Sequence, residues 1–413
     1  PSAAVTIRSN GQSLMITERK GGITLLRNRH LRFSVLALAV VLLGLQLSCV
    51  SCVAKETPRN VILLIGDGMG PGQVLAAQLT RHGEAEKLHM QQLPVKTMIG
   101  TDNAVGKTTD SAAASTALST GVKTTNGALG LDPEGRPLRT ILQALRDEGM
   151  AVGLVTTTPI THATPAGFAS HVKSRSMEPR IAEQLISSGT HVMMGGGLEN
   201  FLPKTKEGSK RSDERNLLDE ARARGYQVAL TPQEFASLKD GRILALLQMG
   251  GLSTNPPEPS LAEMTERAIR ALDATGKGFF LMVEGGQIDW ECHANRLEGA
   301  IDQTLKFDDA VGKAMEFARR DGKTLVIVTA DHETGGLTIT PRGGKEFDAK
   351  WSTGSHTSAK VPLWAYGPGA EALAKAADNV DIPQTLARLY GVKIGHTTGL
   401  ARLSPAVAAA GGE

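Results

Sequence analysis

The chain has 413 residues, enough for one large domain or two ordinary ones around a substantial core. Apolar residues make up 41% and charged residues 21%, which excludes a disordered or collagen-like chain, and an aromatic content of 4% argues against a base-stacking nucleic-acid surface. The net charge of +3 belongs to the N-terminus: residues 1–54 carry six basic side chains and one acidic, and the remainder holds 39 basic against 41 acidic groups, so nothing there calls for a polyanionic partner.

Taken in chain order, the first feature is a leader. Arg27, Arg29 and Arg32 precede an uncharged apolar run from Phe33 to Leu47. That run is short for a membrane span and has the size of a signal-peptide core. Met15 reads as a start, with residues 1–14 upstream of it. Residues 1–54 are therefore expected to direct export to the periplasm. Cleavage after Ala54 would give a soluble product. A lipid anchor at Cys49 or Cys52 stays open, although Gln46 fits that pattern poorly. With the leader gone, Cys292 stands alone and no intrachain disulfide is possible.

From Asn60 onward, short β-rich runs end in Gly/Asp/Thr clusters and are followed by helical patterns. The runs are Val61–Ile65, Ala151–Thr156, Phe279–Glu284, Thr324–Ala330 and Val361–Tyr366. Nearly continuous apolar strands between amphipathic helices predict an α/β fold with a large, mostly parallel central sheet flanked by helices on both faces. Residues 55–413 are expected to form one domain, with loops in an insertion around 196–275. Pro341–Thr357, rich in Gly, Lys and Ser, reads as a further long loop.

In parallel sheets, sites collect beyond the carboxyl ends of the strands. The first run ends in Gly66-Asp67-Gly68, a carboxylate that glycines leave open to an ion. The third ends in Glu284, followed by Asp289 and His293, which are four apart and share one face of a helix. The fourth ends in Asp331-His332, an oxygen and a nitrogen donor. His356 precedes the last run. His171 reads as a structural histidine. Ser111, in Thr109-Asp110-Ser111-Ala112-Ala113, sits where a helix N-terminus favours an anion, and as a nucleophile it would need a metal to activate it. Taken alone, each motif has an ordinary explanation as a helix cap, a turn or a surface pair.

Together they resemble the alkaline phosphatases. Asp67-Gly-Met-Gly, Thr109-Asp110-Ser111-Ala-Ala, Thr164-Pro165 with His171-Val-Lys-Ser-Arg175, Glu284-Gly-Gly-Gln-Ile-Asp289, Thr329-Ala-Asp331-His332 and His356-Thr357 look like that family's motifs in its chain order, from about Asn60 to about Gly391. The resemblance implies a phosphate monoesterase with two Zn2+ and one Mg2+. Asp289, His293 and His356 would hold the first zinc, and Asp67, Asp331 and His332, with Ser111, the second. Asp67, Thr164 and Glu284 would hold the magnesium. Ser111 would carry a phosphoserine intermediate. Arg175, oriented by Asp110, would grip two phosphate oxygens. His162 and Trp290 stand where the best-known enteric member has Asp and Lys, so Trp290 brings no cation to the phosphate side. The family suggests a homodimer and gives no reason to expect nucleic-acid-specific binding. A phosphodiesterase or sulfatase of the same superfamily, and a non-catalytic exported phosphate- or metal-binding protein, are the alternatives.

Overall fold

In the computed structural model the described residues are 57–84 and 86–397, with the backbone of two strands nearer the N-terminus. Those two, β1 (Ala4–Ser9) and β2 (Gln12–Thr17), pair antiparallel and belong to a unit, Pro1–Ala54, separate from Lys55–Glu413. The apolar run from Phe33 to Leu47 and both leader cysteines lie outside the described residues.

The larger unit is built on β3 (Asn60–Gly66), β4 (Val95–Ile99), β5 (Ala151–Pro159), β6 (Val192–Gly196), β7 (Gln227–Ala229), β8 (Ile243–Leu246), β9 (Phe279–Gly285) and β10 (Thr324–Thr329). The short β11 (Glu333–Thr334), β12 (Thr338–Gly343), β13 (Glu346–Lys350) and β14 (His356–Thr357) follow, and β15 (Val361–Tyr366) completes the set. Nine of these strands form one sheet in the order β4-β15-β10-β3-β9-β5-β6-β8-β7. Only β15 runs against the rest, pairing antiparallel with both β10 and β4.

All five runs expected as strands are strands of this sheet. Every residue of β3, β9 and β10 is buried. Successive side chains point to opposite faces, so both faces must be covered. The helices doing so form two packed groups. One contains Ser111–Thr120, Ile141–Asp147 and Ala163–Ala169; the other contains Leu261–Asp273 and Leu297–Asp321; each group packs on β5 or β9.

Two expectations change on inspection. Pro341–Thr357 is not a plain loop: most of it forms the β12–β13 hairpin and the start of β14. Its strands are largely exposed, so they lack the apolar alternation that marks a half-buried strand. The segment 196–275 supplies β7 and β8 to the sheet and the long helix Leu261–Asp273 to one face, with irregular stretches between them.

Register carries the functional side chains. Fully buried Asn60 accepts from Phe279 N at 3.1 Å and donates to Thr324 Oγ1 at 3.1 Å, which ties the starts of β9 and β10 to β3. Ile65 then pairs with Glu284 on one side and Thr329 on the other. The three strands end level, and Asp67, Glu284 and Asp331 emerge side by side.

The helices Ser111–Thr120 and Ala163–Ala169 touch closely. Ser115 Oγ donates to Ala163 O at 3.0 Å and Ser119 Oγ to Gly167 O at 2.7 Å. A Cβ at Gly167 would lie 2.3 Å from Ser115 Oγ. Gly167→Ala is therefore expected to force the pair apart and destabilise the fold by about 1–3 kcal/mol, the usual cost of overpacking. Denaturant unfolding checks this, and an unchanged midpoint would show that the contact yields freely.

Candidate active site

Ser111 is the first residue of the helix Ser111–Thr120, and Asp110 caps that helix by accepting from Ala113 N at 2.9 Å. The nucleophile candidate is thus buried at the positive end of a helix dipole. Its Oγ lies 3.3 Å from His332 Nε2 and 3.4 Å from an Arg175 guanidinium nitrogen.

Around it stand groups of potential ligands. Asp289, His293 and His356 form one, and Asp67, Asp331 and His332 a second; within each, the ligand atoms lie within 4.8 Å of one another. The groups adjoin, since the His332 and His356 rings stack at 3.6 Å. Asp289 reaches His293 Nε2 at 3.3 Å and His356 Nε2 at 3.5 Å. Those two Nε2 atoms are 3.1 Å apart.

The orientation of the imidazoles follows from their other nitrogens. His293 Nδ1 lies 2.8 Å from Gly354 O, and His356 Nδ1 2.9 Å from Thr109 O. A carbonyl only accepts, so both Nδ1 atoms carry hydrogen and the neutral rings present Nε2 lone pairs to the same point as Asp289. Several buried polar atoms here have no hydrogen bond among the described residues: Asp67 Oδ1, Asp331 Oδ2, Glu284 Oε1 and His162 Nδ1. Buried carboxylate oxygens are rarely left so. Two imidazoles with a carboxylate suit zinc, as do two carboxylates with an imidazole.

Charge crowding perturbs the whole cluster. Burial, then the neighbouring Asp331, raises Asp67 well above the usual carboxylate range. Burial and the Asp289 charge push Asp331 up to about 7. Asp289 goes the other way: despite burial, its bonds to His293 and His356 hold it well below that range. In return Asp289 lifts His293 to about 9, while burial and the His356 charge keep His332 well below the ordinary imidazole value. Protons and a metal cation therefore compete for these atoms.

A third group brings Glu284 and His162 to Asp67. Glu284 accepts from Thr156 and, at 3.1 Å, from Thr158 Oγ1. Thr164 Oγ1 is 3.5 Å from Asp67 Oδ2. The part of His162 is decided by its far side. Its Nε2 is 2.9 Å from an Arg175 guanidinium nitrogen, which can only donate. The neutral ring then carries its hydrogen on Nδ1, 3.9 Å from Glu284 Oε1, and has no lone pair for an ion there. His162 Nδ1 itself has no hydrogen bond, and Asp67, Thr164 and Glu284 around it supply oxygens, the donors that suit magnesium.

Arg175 is held from two sides. Asp110 Oδ2 accepts from it at 3.3 Å and from Gly127 N at 3.0 Å, and Gly127 O accepts the Arg175 backbone N–H at 2.8 Å. Trp290 meets His162 edge-on, with ring centroids 6.1 Å apart. His171 lies away from these groups, buried with Nε2 2.8 Å from Leu138 O. The thirteen residues singled out in the sequence thus fall around one pocket. Sequence reasoning missed the supports: the carbonyls of Thr109 and Gly354, the amide of Gly127, and Thr334. Thr334 could have been found, because in an extended strand it shares a face with His332, two residues earlier.

The alkaline phosphatase family model matches residues 58–350. Alkaline phosphatase 3 of Bacillus subtilis (strain 168) is 32% identical over 429 residues, covering 82% of this chain and 91% of its own length. The alkaline phosphatase from the Antarctic bacterium TAB5 has a similar structure, with a TM-score of 0.75 at 33% identity over 81% of this chain and 99% of that one. A point mutant of that enzyme with Mg bound in the M3 site gives a TM-score of 0.74 at 32% identity, over 82% and 99% of the two chains. On a match of this extent in both sequence and fold, the chain belongs to the alkaline phosphatase family, and it is an enzyme that hydrolyses phosphate monoesters.

Proposed function

We propose that hydrolysis proceeds through a phosphoserine on Ser111, with two Zn2+ and one Mg2+ as cofactors. Asp289, His293 and His356 would hold the first zinc, Asp67, Asp331 and His332 with Ser111 the second, and Asp67, Thr164 and Glu284 the magnesium. The observation that carries this reading is the convergence of buried, unpartnered carboxylate oxygens and imidazole lone pairs beside a buried serine hydroxyl. In the TAB5 enzyme a mutant with a histidine replaced by glutamate holds Mg in its M3 site; here the oxygen donors Asp67, Thr164 and Glu284 are the basis for the magnesium reading. When bound, such ions lower the pKa of a coordinated hydroxyl and neutralise charge on attacking and leaving oxygens.

The chain's own residues do the rest. Ser111 Oγ gives up its proton to solvent and attacks phosphorus; the Oγ–P bond forms as the bond to the alcohol oxygen breaks, and the leaving alkoxide takes a proton from solvent to become the alcohol. Water then opens the Oγ–P bond, which restores the serine and releases inorganic phosphate. The helix N-terminus at Ser111 favours the anion throughout. Arg175 offers a planar fork to two non-bridging oxygens, which lysine could not match. Asp110 and His162 fix that fork from opposite sides, and Trp290 backs His162 without adding a cation. A monoester dianion has three non-bridging oxygens to offer, a diester only two that share one charge, so the clamp selects monoesters.

The same proposal includes export to the periplasm by residues 1–54, as a soluble homodimer or with a lipid at Cys49 or Cys52. Among the described residues no helix is long and apolar enough to cross a membrane.

Three measurements follow. Hydrolysis of p-nitrophenyl phosphate should far exceed that of bis-p-nitrophenyl phosphate at alkaline pH and should vanish on chelation; Arg175→Ala should lose monoesterase activity while diesterase activity changes little. A diester preference in the wild type, or an equal loss of both activities in the variant, would remove Arg175 as the selective clamp. Ser111→Ala should form no acid-stable phosphoenzyme, whereas turnover at the wild-type rate in that variant would exclude the serine intermediate. Native mass spectrometry of the exported protein should give a dimer of chains starting near residue 55; a monomer, an acylated cysteine or an intact leader would each correct one part of the export and assembly reading.

A further inference from the structure

One buried hydroxyl lies between the first and second ligand groups. Thr334 is fully buried in β11. Its Oγ1 is 2.5 Å from Asp289 Oδ1, in the first group, and 3.3 Å from His332 Nδ1, in the second. A hydroxyl has one hydrogen to give, and an ionised carboxylate can only accept. The hydrogen therefore goes to Asp289, and the oxygen is left to accept from His332 Nδ1–H. That choice puts the His332 lone pair on Nε2, which faces Asp331 Oδ2 at 3.2 Å, Asp67 Oδ1 at 3.5 Å and Ser111 Oγ at 3.3 Å.

The backbone of Thr334 reinforces the link. Its N–H donates to Gly68 O at 3.1 Å, next to Asp67, and it pairs with His356 across β11 and β14. Gly68 has φ +74, and a Cβ there would stand 2.9 Å from Thr334 Oγ1 and from the Asp289 backbone. The loop carrying Asp67 can thus lie flat against the threonine only as glycine.

We propose that Thr334 is a positioning residue that couples the two zinc groups, its one hydroxyl hydrogen fixing the Asp289 carboxylate and the His332 tautomer together. The inference rests on the metal reading above. Such outer partners of ligands typically contribute 10–100-fold in metal affinity, and here a single partner serves both sets. Because the one hydroxyl hydrogen bonds a carboxylate of the first group and sets the lone pair of the second, occupancy of one group would bear on the other. Uptake of the two ions is then cooperative.

Zinc titrated into chelator-treated full-length protein, against a competing chromophoric chelator, tests this. The wild type should take up two zinc equivalents in one steep step. Thr334→Val keeps the shape but removes the hydroxyl; it should weaken both equivalents by about 10–100-fold and make the curve shallow. Thr334→Ser should restore the steep curve. A valine variant that binds like wild type, or weakens one equivalent alone, overturns the coupling. A wild type that takes up no zinc overturns the metal reading instead. If the valine variant does not fold, nitrogen NMR of histidine-labelled wild type decides: His332 must carry its hydrogen on Nδ1, and a hydrogen on Nε2 overturns the inference.

Discussion

Four carboxylates, Asp67, Glu284, Asp289 and Asp331, are buried together at the carboxyl edge of the sheet. Like charges withdrawn from water repel strongly, and leaving them uncompensated is costly. This constraint organises the molecule. The level ends of β3, β9 and β10 bring three of the four together, and the helix Gln287–His293 delivers the last. Imidazoles, threonine hydroxyls and one guanidinium surround them, yet several carboxylate oxygens still lack a hydrogen bond. The cluster offers buried oxygen and nitrogen donors of the kind that divalent cations take, beside the serine hydroxyl.

Arg175 is the one guanidinium beside Ser111 among the described residues, and it sits on an irregular segment. Its position is fixed by atoms from three other segments: the Asp110 carboxylate, the Gly127 carbonyl and His162 Nε2. Asp110 does two jobs, since the same side chain caps the serine's helix. One carboxylate thus ties Arg175 to the start of the helix that carries Ser111.

The core of the fold was legible because β3, β5, β9, β10 and β15 are buried on both faces and read as unbroken apolar runs. β4 alternates between half-buried and exposed positions at the sheet edge, and β7 spans only three residues, so neither leaves such a trace. The β12–β13 hairpin is polar on most positions and looks like a loop. The candidate ligands stood out in the sequence because Asp67, Glu284 and Asp331 fall at strand ends and because the order of all of them matches the phosphatase motifs. The atoms that aim them were not. A carbonyl at Gly354 or Thr109 leaves no mark in the sequence, and its value exists only once the chain has folded around it. His162 shows the same limit: its contact with Arg175 on one side and its place beside Asp67 and Glu284 on the other appear only in the fold.

The ligands run from Asp67 to His356, and no two successive strands in the sequence supply a complete group. A zinc finger gathers its ligands within a short loop, so the ion can nucleate folding. Here β10 must already lie against β3, its distant partner in the chain, before Asp331 stands beside Asp67. Such non-local closure comes late in folding. A growing chain therefore holds no complete group of Asp67, Asp331 and His332 until its last parallel strand has closed onto its first.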